Sequence, residues 1–311
     1  SFTHFETMVG DVDHEIKSGE NQTFHIGFSH FRTKVESPAN YERAAIENKT
    51  AAFVSYQYRW LQLSLRQEMV DSKLIPIIPS VAAQIPILPF VDITAKISRN
   101  YRLPTLNDRY WVPGGNVALL PESGWSQEAT LTYQKDIRVS AINIKLTGFN
   151  RIIEDWIQWT FEGPENISKV WSRGLEPEIG YRWQGRSSSI YLFTKYSYIL
   201  STLKPSPNLP VFTKHYQLFY TPVHQGNGGL EFDYQNWEFS YNHRFTGSNQ
   251  GINTIVEAFD IADLSVNYQF SNVAMGLTCN NLFNENYRII ERRPMPSRNF
   301  LLSLSFNLNK E

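Results

Sequence analysis

A two-residue period recurs along most of this chain, and it limits the fold more than any other feature. In 61–66, Leu61, Leu63 and Leu65 fall on one side and Gln62, Ser64 and Arg66 on the other. In 91–98, Val91, Ile93, Ala95 and Ile97 oppose Asp92, Thr94, Lys96 and Ser98. The same alternation runs through 128–134, 141–147, 237–244, 273–280 and 300–308. Successive side chains of a strand point to opposite faces, so each segment is expected to be a strand with one apolar and one polar face. The chain therefore reads as all-β and antiparallel.

The connections carry the second signal. Tight turns are expected at Tyr58–Trp60, Pro86–Pro89, Gln134–Ile137, Gln184–Ser187, Tyr234–Asn236 and Phe270–Asn272. Longer connections fall between them, at 36–50, 71–77, 100–125, 159–166, 200–217, 246–256 and 284–297. A soluble sandwich has no reason to keep one end's turns short. An outer-membrane barrel does, with short periplasmic turns and longer outer loops. Taking roughly 9–11 residues to cross a bilayer, the chain holds about fifteen such strands. The first segment, Phe2–Ile16, and the last strand both run toward the short-turn end, which places the C-terminus in the periplasm. Tyr56, Tyr58, Trp60, Tyr133, Trp183, Tyr234 and Trp237 gather beside the short turns, as an interfacial girdle would.

Composition sets limits. No window reaches the roughly 18 consecutive apolar residues of a membrane helix, but barrel strands dilute hydropathy with their polar face. The net charge of −1 over 311 residues gives no footprint for nucleic acid. A single cysteine, Cys279, excludes an internal disulfide framework and reads as a buried or lipid-facing thiol. His25 and His30 sit at odd separation on one strand and should face opposite sides, so no metal site is expected there. No nucleophile elbow, zinc-protease motif or phosphate loop is present, and neither catalysis nor a cofactor is expected.

Two motifs go further. Ser98-Arg99-Asn100-Tyr101-Arg102-Leu103-Pro104-Thr105-Leu106-Asn107-Asp108 runs into Pro113-Gly114-Gly115-Asn116, then Leu120-Pro121-Glu122 and Glu128. Near the other end stand Asn281-Leu282-Phe283-Asn284-Glu285-Asn286-Tyr287 and Arg293-Pro294-Met295-Pro296-Ser297-Arg298. In order and spacing these resemble the signatures of TonB-dependent outer-membrane receptors. The resemblance implies an antiparallel transmembrane β-barrel. Residues 1–311 would supply about fifteen C-terminal strands of a barrel of roughly 22 strands, the plug and opening strands lying upstream. It implies active uptake of a scarce nutrient such as a ferric siderophore, haem or cobalamin, with TonB acting through the plug and outer-membrane lipid around the barrel. A passive, porin-like barrel is the alternative; a soluble carbohydrate-binding module is a more distant one.

Within that frame, Arg102, Pro104 and Glu122 are expected to hold the loop 100–125, and Gly114 and Gly115 to form a turn. Tyr110, Trp111 and Asn116 are the candidate ligand contacts, the aromatics for their flat faces and polar tips. Arg292 and Arg293 in the last outer loop are candidates for an anionic chelate, since guanidinium matches carboxylate and phosphate geometry. Asn166-Ile167-Ser168 matches a glycosylation sequon that a bacterial protein would not use.

Overall fold

A computed structural model describes residues 2–160, 162–204 and 217–306. Fifteen strands follow one another as antiparallel neighbours in chain order. They are β1 (His4–Ser18), β2 (Gln22–Glu36), β3 (Ala45–Tyr58), β4 (Leu61–Val70), β5 (Ile78–Leu88), β6 (Val91–Arg102), β7 (Glu122–Ile137) and β8 (Ser140–Trp159). The series continues with β9 (Pro164–Gln184), β10 (Ser188–Leu203), β11 (His224–Tyr234), β12 (Trp237–Thr246), β13 (Phe259–Phe270), β14 (Val273–Asn280) and β15 (Asn299–Phe306). A short helix, α1 (Leu106–Tyr110), lies between β6 and β7. No helix is long and apolar enough to cross a membrane, which says nothing against crossing by strands.

Register shows how the faces are assigned, because directly paired residues of antiparallel strands share a face. One row runs Ile142, Tyr181, Leu192, Leu230, Tyr241, Leu264, Cys279, Phe300 across eight strands. The adjacent row on the other face runs Asn143, Gly180, Phe193, Gly229, Asn242, Asp263. The apolar sets of the separate segments thus merge into one apolar face. Much of it is open: Leu302 is 76% exposed, and Leu131, Leu146, Ile179 and Leu277 are also exposed. A soluble monomer rarely leaves so large an apolar surface uncovered, whereas a face turned to lipid requires it.

The polar face is cross-linked by pairs such as Glu128–Arg151 (3.8 Å), Glu178–Lys195 (3.5 Å) and Arg244–Asp263 (3.1 Å). Exposed pairs of this kind contribute about 0–1 kcal/mol each. Their consequence is a charged, wettable surface rather than stability. At two glycines of this face a neighbouring ring covers the backbone. A Cβ on Gly27 would lie 2.2 Å from the Phe53 ring, and one on Gly229 2.6 Å from the Phe193 ring. These glycines admit the close approach of a ring that shields the backbone.

The sheet is open. Among the described residues β1 pairs only with β2 and β15 only with β14, and every residue of both edge strands is exposed. Unpaired edge amides are not tolerated in hydrocarbon.

All seven short turns lie at one end, and the longer connections lie at the other. Two turns fall later than the sequence suggested. Lys135 and Asp136 stay in strand, opposite Ile142 and Ala141, and the chain reverses at Arg138 (φ 50°) and Val139. Their polarity marks a strand leaving the apolar zone, not a turn. Strand β5 likewise continues through Pro86, at a register irregularity where a missing N–H is tolerated, and reverses at Pro89 and Phe90 (φ 74°). The connection at 159–166 shrinks to 160–163 because β8 and β9 extend as a long hairpin above their neighbours. Much of the connection at 200–217, and Leu308 of the final alternation, lie outside the described residues.

Candidate ligand mouth at the long-loop end

The loop between β6 and β7 is built around a buried carboxylate at each end. Glu122, 4% exposed, receives two hydrogen bonds from Arg102, one of 2.7 Å from Nε, and a third from the Ile157 amide at 2.8 Å. A planar guanidinium meeting a carboxylate side-on fixes direction as well as distance. Asp108, 6% exposed, closes a capping box at the start of α1. The Thr105 amide donates to its Oδ2 (2.8 Å) and its own amide donates to Thr105 Oγ1 (3.1 Å). Such reciprocal caps satisfy donors that a helix start leaves unpaired. The Trp159 indole donates to Asp108 Oδ1 (2.8 Å), tying α1 to the tip of the long β8–β9 hairpin.

The candidate residues of this loop sit inside the same construction. Tyr110 and Trp111 are half-buried and pack, with Leu106, on the cluster Val35, Tyr41 and Ala45. Tyr41 donates to Asn107 Oδ1 (2.5 Å), and burial pushes its phenol up, against a smaller opposing effect from Arg109. Arg109 pairs with Glu47, and the Val112 amide donates to Asn40 O (2.7 Å). Asn116 donates through Nδ2 to Pro164 O (3.2 Å) and accepts from the Ala118 amide (2.9 Å). Asn166, noticed only as a sequon, receives the Leu120 amide (2.7 Å) and donates back to Leu120 O (2.9 Å). Leu119 is buried, whereas its neighbour Leu120, the leucine of the signature, is exposed.

Arg292 and Arg293 lie far along the chain, on a small hairpin, Arg288–Ile290 with Arg293–Pro294, and both are exposed. Arg292 occupies the tip with φ 59°. The neighbouring Glu291 accepts from the Thr254 amide (2.8 Å), the Asn253 amide (2.7 Å) and Asn253 Nδ2 (2.9 Å). These bonds, the Thr254 amide foremost, hold its carboxyl below the ordinary range. They also fasten the last long loop to the loop 247–258. Among the described residues the two groups of candidates belong to separate constructions, and no group of three metal-ligating side chains is assembled.

A sheet with one continuous apolar face, a charged opposite face and loops of one length class at each end defines an outer-membrane β-barrel protein. Comparison with known proteins narrows this. Residues 3–282 match the family described as TonB dependent receptor-like, beta-barrel. The chain belongs to that family of outer-membrane receptors. It is 30% identical over 95 residues to the vitamin B12 transporter BtuB of Vibrio vulnificus (strain YJ016), which covers 29% of this chain and 15% of that protein. Two solved structures superpose on 98% of the chain. The siderophore receptor PirA of Acinetobacter baumannii does so with a TM-score of 0.74 at 14% identity, over 55% of its own length. The copper transporter OprC does so with a TM-score of 0.72 at 14% identity, over 57% of its length. The chain thus spans little more than half of these structures.

Proposed function

We propose that this chain is the C-terminal part of the barrel of a receptor that imports a scarce, bulky nutrient across the outer membrane. One observation carries the reading: a single apolar face backs a charged face, and the long loops gather at one end of the sheet. Family membership supports active uptake. The named relatives, a vitamin B12 transporter, a siderophore receptor and a copper transporter, support a metal chelate or cobalamin-type ligand. The short turns and the C-terminus face the periplasm, and the long loops face outward. Upstream residues provide the plug and about seven strands that join the two exposed edges. TonB acts through that plug. Ligand bound at the outer mouth shifts the plug's equilibrium only if it binds one plug state more tightly than the other. Arg292 and Arg293 offer exposed charge to an anionic chelate. Tyr110, Trp111 and Asn116 shape the mouth and meet ligand only along their open edges.

Uptake by cells that carry or lack the whole receptor tests this, using radiolabelled ferric siderophores and cyanocobalamin. Receptor-dependent uptake of one of them, abolished by collapsing the proton-motive force, is expected. Uptake that survives the collapse would make the protein a passive barrel, and uptake of none would remove the transport reading.

A further inference from the structure

We infer that the apolar face of the sheet carries, at its long-loop border, a site for a lipid headgroup bearing two phosphates. The inference rests on the outward placement of the long loops proposed above. On β9, Trp171 and Tyr181 are both exposed on this face. The stretch between them spans roughly 33 Å of strand. At a barrel strand's tilt that is about 25 Å in height, the thickness of a barrel's apolar band. Trp125 of β7 is also exposed and level with Trp171, because Ile152 of β8 pairs with both. The two indoles therefore stand at the outer lipid–water border, where headgroup phosphates lie.

The patch is built, not a scatter of side chains. One row of direct partners runs Arg99, Trp125, Ile152, Trp171, Thr202 across β6–β10. The next row toward the short turns runs Ile97, Gln127, Asn150, Arg173, Leu200 on the same face. The Trp171 indole donates to Asn150 Oδ1 (2.6 Å), and Asn150 Nδ2 donates to Gln127 Oε1 (2.6 Å). The Arg173 guanidinium lies over the Trp171 ring, 3.8 Å from its centre. Its Nη1 donates to Trp171 O (3.2 Å) and Thr202 Oγ1 (3.1 Å). A polar ledge thus crosses four strands on a face that is otherwise apolar.

Charge on this ledge is left uncompensated. On the polar face, Arg151, Lys195 and Arg244 each have an acidic partner. Arg99 and Arg173 have none among the described residues. The nearest acid in these rows, Glu154, is taken by its cross-strand neighbour Lys169 (2.5 Å). A cation at the edge of hydrocarbon calls for a counter-charge, and guanidinium pairs with phosphate through two parallel hydrogen bonds. Three strand spacings and a two-residue offset set Arg99 and Arg173 about 16 Å apart. Arg173 leans away from Arg99, toward Thr202, with Trp125 and Trp171 between them. One phosphate does not serve both. A sugar headgroup with a phosphate at each end does, and the Trp125 ring offers its ring carbons a flat apolar face.

Native mass spectrometry of the full receptor, upstream region included, tests this with three probes: diphosphoryl lipid A, monophosphoryl lipid A and phosphatidylglycerol. The diphosphorylated lipid is expected to bind about tenfold more tightly than either other probe. Arg99→Gln and Arg173→Gln should each abolish that preference, and Arg173→Lys, which keeps the charge but not the fork, should restore part of it. Lys96→Gln, which removes a charge from the opposite face of β6, should leave it unchanged. Equal binding of the three lipids overturns the site, as does a preference that survives both glutamine variants or falls equally in Lys96→Gln. A receptor that shows no preference but imports one of the nutrients above loses the site and keeps the transport reading. One that prefers the diphosphorylated lipid but imports none keeps the site and loses the transport reading.

Discussion

Two regions of the long-loop end follow opposite plans. Around α1, the loops 37–44, 103–121 and 160–163 are tied by a near-complete set of hydrogen bonds to buried groups. Only Arg109 Nε is left unmatched there among the described residues. Between the loops 247–258 and 281–298, one carboxylate does the clamping, and Asn249 Oδ1 is buried without a hydrogen bond among the described residues. Fully satisfied buried networks fix one conformation, whereas incomplete ones cost free energy until something completes them. The signature residues therefore hold the mouth in shape.

Substitutions should separate the two plans, and the largest effect is expected at Glu122. Glu122→Ala strips partners from the Arg102 guanidinium and leaves the Ile157 amide buried without an acceptor. A loss of about 2–4 kcal/mol is expected, because a charged group loses its pair and an amide its acceptor. Calorimetric melting of the detergent-solubilised receptor checks it, and a loss below about 0.5 kcal/mol, the scale of an ordinary surface substitution, would deny the latch. Asp108→Ala removes both capping-box bonds and the Trp159 tie, and about 1–2 kcal/mol should follow in the same assay. Asn249→Ala, made in the other region, should leave the melting temperature within a degree or so of wild type, since Asn249 Oδ1 gives up no bond there.

Much of the architecture was legible in the sequence because lipid on one side and water on the other force a two-residue period. That period is enough to place Leu61–Arg66 and Val91–Ser98 in strands and to predict that their apolar sides coincide. Turn positions were less legible. A strand that leaves the apolar zone becomes polar before it reverses, so Lys135 and Asp136 looked like a turn and were not one. The holding roles of Arg102 and Glu122 were readable from the motif. Trp159 and Asn166 were not assigned to it, since their partners lie 46–51 residues away and no local pattern joins them, whereas the cap of Asp108 on Thr105 is a local pattern that went unread. The Glu291 clamp gave no local signal either, since Asn253 and Thr254 lie 38 and 37 residues away.

The smallest expected effect concerns that clamp. The Glu291 carboxyl is held below its ordinary value of 4.5, so its folded-state pKa is depressed. The clamp's contribution is therefore fully present above that value and lost as the pH falls through the lowered folded pKa. Protease resistance of the loop 247–258 should be flat at neutral and mildly acidic pH and decline only below 4.5. Glu291→Gln should flatten this acid limb while raising susceptibility slightly at neutral pH. A decline that begins near neutrality would assign the sensitivity to another group.

The central claim is that the two faces of this sheet meet different solvents. Spin labels placed one at a time from Glu128 to Tyr133 on β7, in a Cys279→Ser background of the full receptor in bilayers, test it most directly. Labels at Ala129, Leu131 and Tyr133 are expected to collide with oxygen dissolved in lipid and to be shielded from a water-soluble nickel chelate. Labels at Glu128, Thr130 and Thr132 should be shielded from the lipid phase. Accessibility without that two-residue alternation, or with its phase reversed, would contradict the membrane-spanning barrel.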